Sequence, residues 1–232
     1  MAERPDEEWT AAVADGGEPT PTLKSEVGFE GKVWDVRTDT LEFGGQTIVR
    51  NIIIHPGAVG IVAIDDHDRV LLIRQYRHPV GMHIFEPPAG LLDVQGEPPA
   101  MTAQRELAEE SGYEARTWHT LVDFLNSPGG SSEAIRIYLA RDLTPIPGGR
   151  PYTGEAEEGF LPRAWVDLDE AKDLVLSGAV SGPTAVAGIL AAWAARACGW
   201  QHLRPADAPW TMRESLLSTD RVATRFSKHG LA

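Results

Sequence analysis

The stretch from Gly90 to Tyr113, GLLDVQGEPPAMTAQRELAEESGY, constrains this chain more than any other. It leaves the rigid corner Pro87-Pro88-Ala89 through a Gly-led turn. It then enters a helix whose last turns carry Arg105, Glu106, Glu109 and Glu110, and Gly112 stops it. Each helical residue turns the chain by about 100°. Glu106 and Glu110 are i, i+4, and Glu106 and Glu109 are i, i+3, so all three carboxylates share one face. Like charges at that spacing repel, and the dipole at a helix C-terminus disfavours anions as well. Such a face calls for a cation. A hard divalent ion is the natural candidate, because Mg²⁺ takes oxygen ligands and binds through a few carboxylates plus substrate phosphates. A solvated acidic helix face is the simpler alternative for a charge run.

The flanks and spacing go further. The stretch resembles the Nudix box, G-x5-E-x7-R-E-U-x-E-E-x-G-U, where U is aliphatic or aromatic. Gly90 is the first Gly and Glu97 the first Glu. Arg105-Glu106-Leu107 is R-E-U, Glu109-Glu110 is E-E, and Gly112-Tyr113 closes the pattern. Six residues, Leu91 to Gly96, stand between Gly90 and Glu97 where the pattern has five. The extra residue falls in the loop and leaves the helix spacing intact. The resemblance implies an α+β Nudix fold: a mixed β-sheet between helices (an α/β/α sandwich) with an extra N-terminal antiparallel sheet. It also implies that Glu106 and Glu110, assisted by Glu109 and the Ala89 carbonyl, hold two or three Mg²⁺ or Mn²⁺ ions. These ions neutralise a pyrophosphate and lower the pKa of a bound water. Arg105 has no lone pair for a metal and is expected to orient a box carboxylate, with Glu97 as its partner. The family places the general base on a loop well downstream. Glu157 and Glu158 lie there, Glu158 being the first choice, and a surface acidic patch competes with that reading.

Composition bounds the partners. The chain has 232 residues and a formal net charge of −13. Nucleic-acid binding through a basic surface is therefore not expected. An anionic substrate must be met by metal ions and a few aimed arginines. The single cysteine, Cys198, allows no intrachain disulfide and fits a reducing cytoplasm. It lies in an Ala-rich stretch and reads as a small buried hydrophobe. The N-terminus has no apolar signal segment. The longest apolar run, Gly182 to Ala195, is shorter than the ~20 residues that span a bilayer, so no membrane association is expected.

In chain order, residues 1–22 read as a mobile acidic tail. Residues 23–57 read as an N-terminal β-sheet with a hairpin turn at Gly44-Gly45. Residues 58–199 hold the catalytic domain, and residues 200–232 a C-terminal tail with a short helix over 213–217. Within the domain, residues 58–65 and 70–76 read as the two strands of one hairpin. Residues 118–126 and 134–140 read as further strands. Pro183 to Ala197 reads as an Ala-rich helix, apolar on most faces and buried.

Two features narrow the substrate. In members of the family that act on ADP-ribose, a proline is expected sixteen residues past the last Gly of the box, and residue 128 is Pro. The loop Ser127 to Glu133, SPGGSSE, is similar to the substrate-holding loop of bacterial ADP-ribose pyrophosphatases. Composition alone makes it an ordinary surface loop. In the resemblance Ser127, Pro128, Gly129 and Gly130 contact substrate, and Glu133 accepts hydrogen bonds from ribose hydroxyls. Arg77 is a candidate phosphate contact. Similar enzymes exchange the N-terminal sheet across a homodimer, so that Arg50 reaches the partner's substrate and each site is shared. Trp34 is a candidate to stack on adenine, with a buried core Trp as the alternative. The expected reaction is metal-dependent hydrolysis of ADP-ribose to AMP and ribose 5-phosphate. The rivals are cleavage of another nucleotide sugar such as GDP-mannose, and a non-catalytic ADP-ribose sensor.

Overall fold

Strand β4 (Ala58–Ala63) lies inside a five-stranded sheet, and its alternation decides which helix covers which face. The computed structural model describes residues 12–151 and 161–223. Before β4, β1 (Thr22–Glu30), β2 (Asp35–Phe43) and β3 (Gln46–Ile54) form an antiparallel sheet in that order. The hairpin turn at Gly44-Gly45 forms as expected, with Phe43 opposite Gln46. The sheet here has three strands. A further strand, β1, pairs with β2 and is exposed along its whole length.

After β4 come β5 (Arg69–Arg77), β6 (Met82–Glu86), β7 (Ala89–Leu91), helix α1 (Pro99–Ser111), β8 (Tyr113–Leu125) and β9 (Ala134–Pro145). They are followed by β10 (Arg163–Asp167), α2 (Leu168–Leu176), α3 (Pro183–Ala197), β11 (Arg204–Pro205) and α4 (Thr211–Ser218). The central sheet runs β11-β8-β9-β4-β7, with β4 parallel to β9. A smaller sheet runs β10-β5-β6. The hairpin expected from 58–76 is therefore split. β4 and β5 meet at one bridge, Ile64 to Val70, and then enter different sheets, because each finds other strands as neighbours.

Successive side chains on a strand point to opposite faces. Val59, Ile61 and Ala63 of β4 pack with Ala103 and Leu107 of α1. Val62 and Ile64 pack on the other side with Ala185, Ile189 and Ala192 of α3 and Leu168 of α2. This is the expected α/β/α layering. Each such fully buried Ile or Leu contributes roughly 1.5–3 kcal/mol through burial. Helix α3 buries one face only, Thr184, Ala185, Gly188, Ile189 and Ala192, rather than most of its surface. Cys198 caps its C-terminus and is exposed, which corrects the buried reading. Beyond it, residues 200–223 pack on the domain. β11 adds to β8, and Val222 forms a bridge with His55. No helix among the described residues is long and apolar enough to cross a membrane.

Candidate active site

Helix α1 starts with Pro98 as N-cap and Pro99 in its first turn, where a missing N–H costs nothing. It ends at Gly112, whose φ of 72° closes the last turn through its N–H to Ala108 O. Ala103 and Leu107 anchor the helix to β4, which turns Glu106 and Glu110 toward β7. Both carboxylates are buried, at 1% and 5% exposure. The fit depends on Gly90 of β7. A Cβ there would stand 2.2 Å from Glu106 Cγ. The first Gly of the motif is thus the space in which its third-last acid lies. Glu110 Oε2 accepts the Ala89 N–H at 2.8 Å, tying the end of the helix to the same short strand.

Arg105 bridges the acids. Its Nη2 donates to Glu97 Oε2 at 3.0 Å and its Nη1 to Glu106 Oε1 at 2.6 Å. Nη1 also reaches Glu109 Oε2 at 3.1 Å. Glu97 is in turn held by Thr102 Oγ1 at 2.8 Å. Arg105 therefore meets the partner expected for it, despite the extra loop residue. Burial acts to lower its pKa, but the hydrogen bonds to Glu97 and the charge of Glu106 outweigh that and raise it.

A cleft of about 280 Å³ opens beside Ala89 and Gly90. Arg77 lines it, with its Nε donating to the buried Glu86 Oε2 at 2.7 Å. Across from them stand His55, Asn126 and Glu133. Asn126 Nδ2 donates to Glu133 Oε2 at 2.6 Å, and His55 Nε2 lies 3.6 Å from Glu133 Oε1. Gly57 N–H donates to His55 Nδ1 at 3.0 Å, so the neutral imidazole carries its proton on Nε2, toward Glu133. Burial pushes the His55 pKa down, and Glu133 pulls it the other way.

The Ser127 to Glu133 loop is sewn to the end of β3. Ile53 N–H donates to Gly130 O at 2.8 Å, and Ser132 N–H donates to Ile53 O at 2.9 Å. His55 N–H donates to Ser132 Oγ at 3.0 Å. Gly129 and Gly130 face open space. Glu133, Arg77 and Ala89 thus share one cleft with the box. Arg50 and Trp34 do not line it. Arg50 is exposed on β3 and donates to Val49 O. Trp34 is exposed and tilts against Phe29 at 6.4 Å. Glu157 and Glu158 lie outside the described residues. The chain before them is tied to the box helix, because Arg150 Nε donates to Glu109 O at 3.1 Å.

Three cleft residues escaped the sequence reading: His55, Glu86 and Asn126. The one available signal was an acid, Glu86, in an apolar strand leading into Pro87-Pro88. Among the described residues, no three His, Cys, Asp or Glu side chains converge as a ready metal shell. Arg105 and the Ala89 N–H each engage an oxygen of the box carboxylates. The donor set still suits a hard divalent ion, which takes one or two carboxylates and fills its shell with water and substrate phosphate. Two buried carboxylates beside a Gly-sized gap supply that minimum.

The NUDIX domain model matches residues 54–182. An ADP-ribose pyrophosphatase from Mycobacterium tuberculosis is 41% identical over 202 residues, covering 87% of this chain and 96% of that protein. An ADP-ribose pyrophosphatase from Bacillus subtilis is 36% identical over 157 residues, 67% of this chain and 83% of that one. The crystal structure of an ADP compounds hydrolase aligns with a TM-score of 0.66 at 25% identity, over 90% of this chain and 100% of that chain.

Proposed function

The chain belongs to the Nudix family, and from that premise we propose that it hydrolyses the pyrophosphate of ADP-ribose. Water adds to one phosphorus, the bridging P–O bond breaks, and AMP and ribose 5-phosphate leave. The observation that carries this reading is the shared cleft. Gly90 and Ala89 of the box face Glu133 of the SPGGSSE loop across about 280 Å³. Two named ADP-ribose pyrophosphatases, aligned over most of their lengths, support the substrate.

Glu133, fixed by Asn126, accepts from ribose hydroxyls, and the backbone of Ser127 to Gly130 lies against the substrate. Arg77, held by Glu86, meets a phosphate. Glu106, Glu109, Glu110 and the Ala89 carbonyl hold the divalent cations, two or three Mg²⁺ or Mn²⁺. When bound, these supply positive charge to the pyrophosphate and acidify water. Arg105 keeps the carboxylates in place before the ions arrive. Glu158 takes the proton from the attacking water, with Glu157 as the neighbouring alternative. Arg150, eight residues before Glu158, donates to Glu109 O of the box helix.

The protein acts as a homodimer in the cytoplasm. The apolar side chains Leu23, Val27 and Phe29 of the exposed β1 support a partner subunit on this sheet. Across such an interface Arg50 and Trp34 reach the other subunit's substrate.

The test is product analysis with Mg²⁺, comparing ADP-ribose with GDP-mannose. AMP released from ADP-ribose with the higher kcat/KM is the expected result. Preferred cleavage of GDP-mannose would contradict it. Glu158→Gln should lower kcat with little change in KM, and full activity in that variant would remove Glu158 from the base role.

A further inference from the structure

A second cavity, about 350 Å³, lies outside the catalytic cleft. One wall is the first turn of α1, Pro98 to Ala100, where no side chain caps the helix. The other wall is the C-terminal segment, including Pro209, Trp210, Arg213 and Leu217. Two donors there stand out. Trp210 is only 6% exposed, and its Nε1 has no acceptor among the described residues. Arg213 is part-buried. It gives one hydrogen bond, to Pro56 O at 2.6 Å, and makes no ion pair among the described residues. Burial is the cause acting on Arg213, and it pulls the pKa down.

The neighbouring cation is different. Arg136 is buried against Asp123 and two backbone carbonyls, so its hydrogen bonds are used. Both guanidinium groups lie over the Trp210 ring, Arg136 at 4.7 Å and Arg213 at 5.7 Å. Asp207 and Glu214 also line the cavity, and both are exposed. A part-buried cation without a counter-ion and a buried N–H without an acceptor each carry a cost. Both sit on one cavity whose other walls, apart from Arg136, Asp207 and Glu214, are largely apolar. In a chain of net charge −13, that is a local environment for an anion.

We propose that this cavity is a second ligand site for a small organic anion. Its acid group meets Arg213 and Trp210 Nε1, and its apolar body packs against Pro98, Pro209 and Leu217. The site is coupled to the catalytic cleft by two routes. Arg213 holds Pro56 O, next to His55, which lines the cleft. The first turn of α1 begins the helix that carries Glu106 and Glu110. A carboxylate and a phosphate monoester offer the same acceptor chemistry to these donors.

The binding test does not depend on the proposed hydrolysis; only the coupling test does. Sodium benzoate and phenyl phosphate are each titrated calorimetrically into the metal-free full chain at constant ionic strength. Saturable one-site binding by at least one probe is expected, and which probe binds tells a carboxylate ligand from a phosphate one. Trp210→Phe keeps an aromatic ring and removes the donor, and it should weaken binding about tenfold. Arg213→Met should do at least as much, with a cooperative melt as the folding check. Glu133→Gln, in the other cleft, should leave the affinity unchanged. The site is overturned if neither probe saturates, if Trp210→Phe binds as the parent does, or if Glu133→Gln abolishes binding. A saturating probe should shift the KM for ADP-ribose about fivefold in the parent and not in Trp210→Phe. A KM that does not move overturns the coupling.

Discussion

Gly90 lies so close to Glu106 that a Cβ on Gly90 would stand 2.2 Å from Glu106 Cγ and 2.4 Å from its Oε1. The residue that opens the motif and an acid sixteen positions later are thus a single packing unit. Gly90→Ala must push the Glu106 carboxylate or the β7 backbone aside. Small displacements of catalytic groups cost on the order of 10²-fold in rate. A loss of about that size in kcat is expected, with a circular-dichroism spectrum like the parent's. Parent-like turnover would show that the close approach has no part in positioning Glu106.

Arg105 is the cation that makes this acidic helix face tolerable before metal arrives. Arg105→Met leaves Glu97, Glu106 and Glu109 without it. Hydrogen bonds to charged groups are each worth roughly 1.5–3 kcal/mol. The metal-free variant should melt clearly below the parent, and Mg²⁺ should recover more stability in the variant than in the parent. Thermal melts with EDTA and with Mg²⁺ check this. Equal melting temperatures without metal would contradict it.

His55 sets an acid limb on stability. Its folded pKa lies below the ordinary 6.5, with burial as the main cause. As pH falls below 6.5 the unfolded chain takes up a proton that the folded chain resists. The stability attached to neutral His55 is therefore present above that pH and is lost as pH falls toward the folded value. His55→Gln should flatten the fall in melting temperature on acidification. An unchanged slope would remove His55 as its source.

The N-terminal sheet yields a prediction about assembly. Phe29 is 57% and Val27 50% exposed on a strand whose residues are exposed along its whole length. Light scattering should give about twice the chain mass of 25.2 kDa. Val27→Glu with Phe29→Glu should shift the protein toward monomer and reduce activity. A parent that is monomeric and fully active would contradict the shared-site reading.

The box was legible because its chemistry is local. Arg105, Glu106, Glu109 and Glu110 lie on one helix, whose periodicity can be read directly from spacing. In the second half of the cleft Arg77 and Glu133 were legible, but the residues that hold them were not. His55 reaches Glu133 only because the end of β3 is sewn to the loop that precedes β9, across 78 positions of chain. Glu86 is paired with Arg77 by the β5-β6 register, which no local pattern reveals. The misread hairpin at 58–76 has the same origin. Two apolar runs joined by a short turn look alike whether their strands share a sheet or leave for different ones. In the C-terminal residues 200–223 only the short helix over 213–217 was legible, and it forms as α4, whereas the packing that walls the second cavity and reaches His55 was not.

The most direct test of the account is the turnover of ADP-ribose by Glu110→Gln beside the parent, with Mg²⁺ present. Glu110 is buried and fixed to Ala89, and Gln keeps its size while removing the charge and one acceptor oxygen. The parent should release AMP and ribose 5-phosphate, and the variant should be slower by about 10²-fold or more, consistent with a group that stabilises transition-state charge. If the parent releases no AMP, yet ADP-ribose raises its melting temperature, the cleft binds the nucleotide without cleaving it and the catalytic account fails.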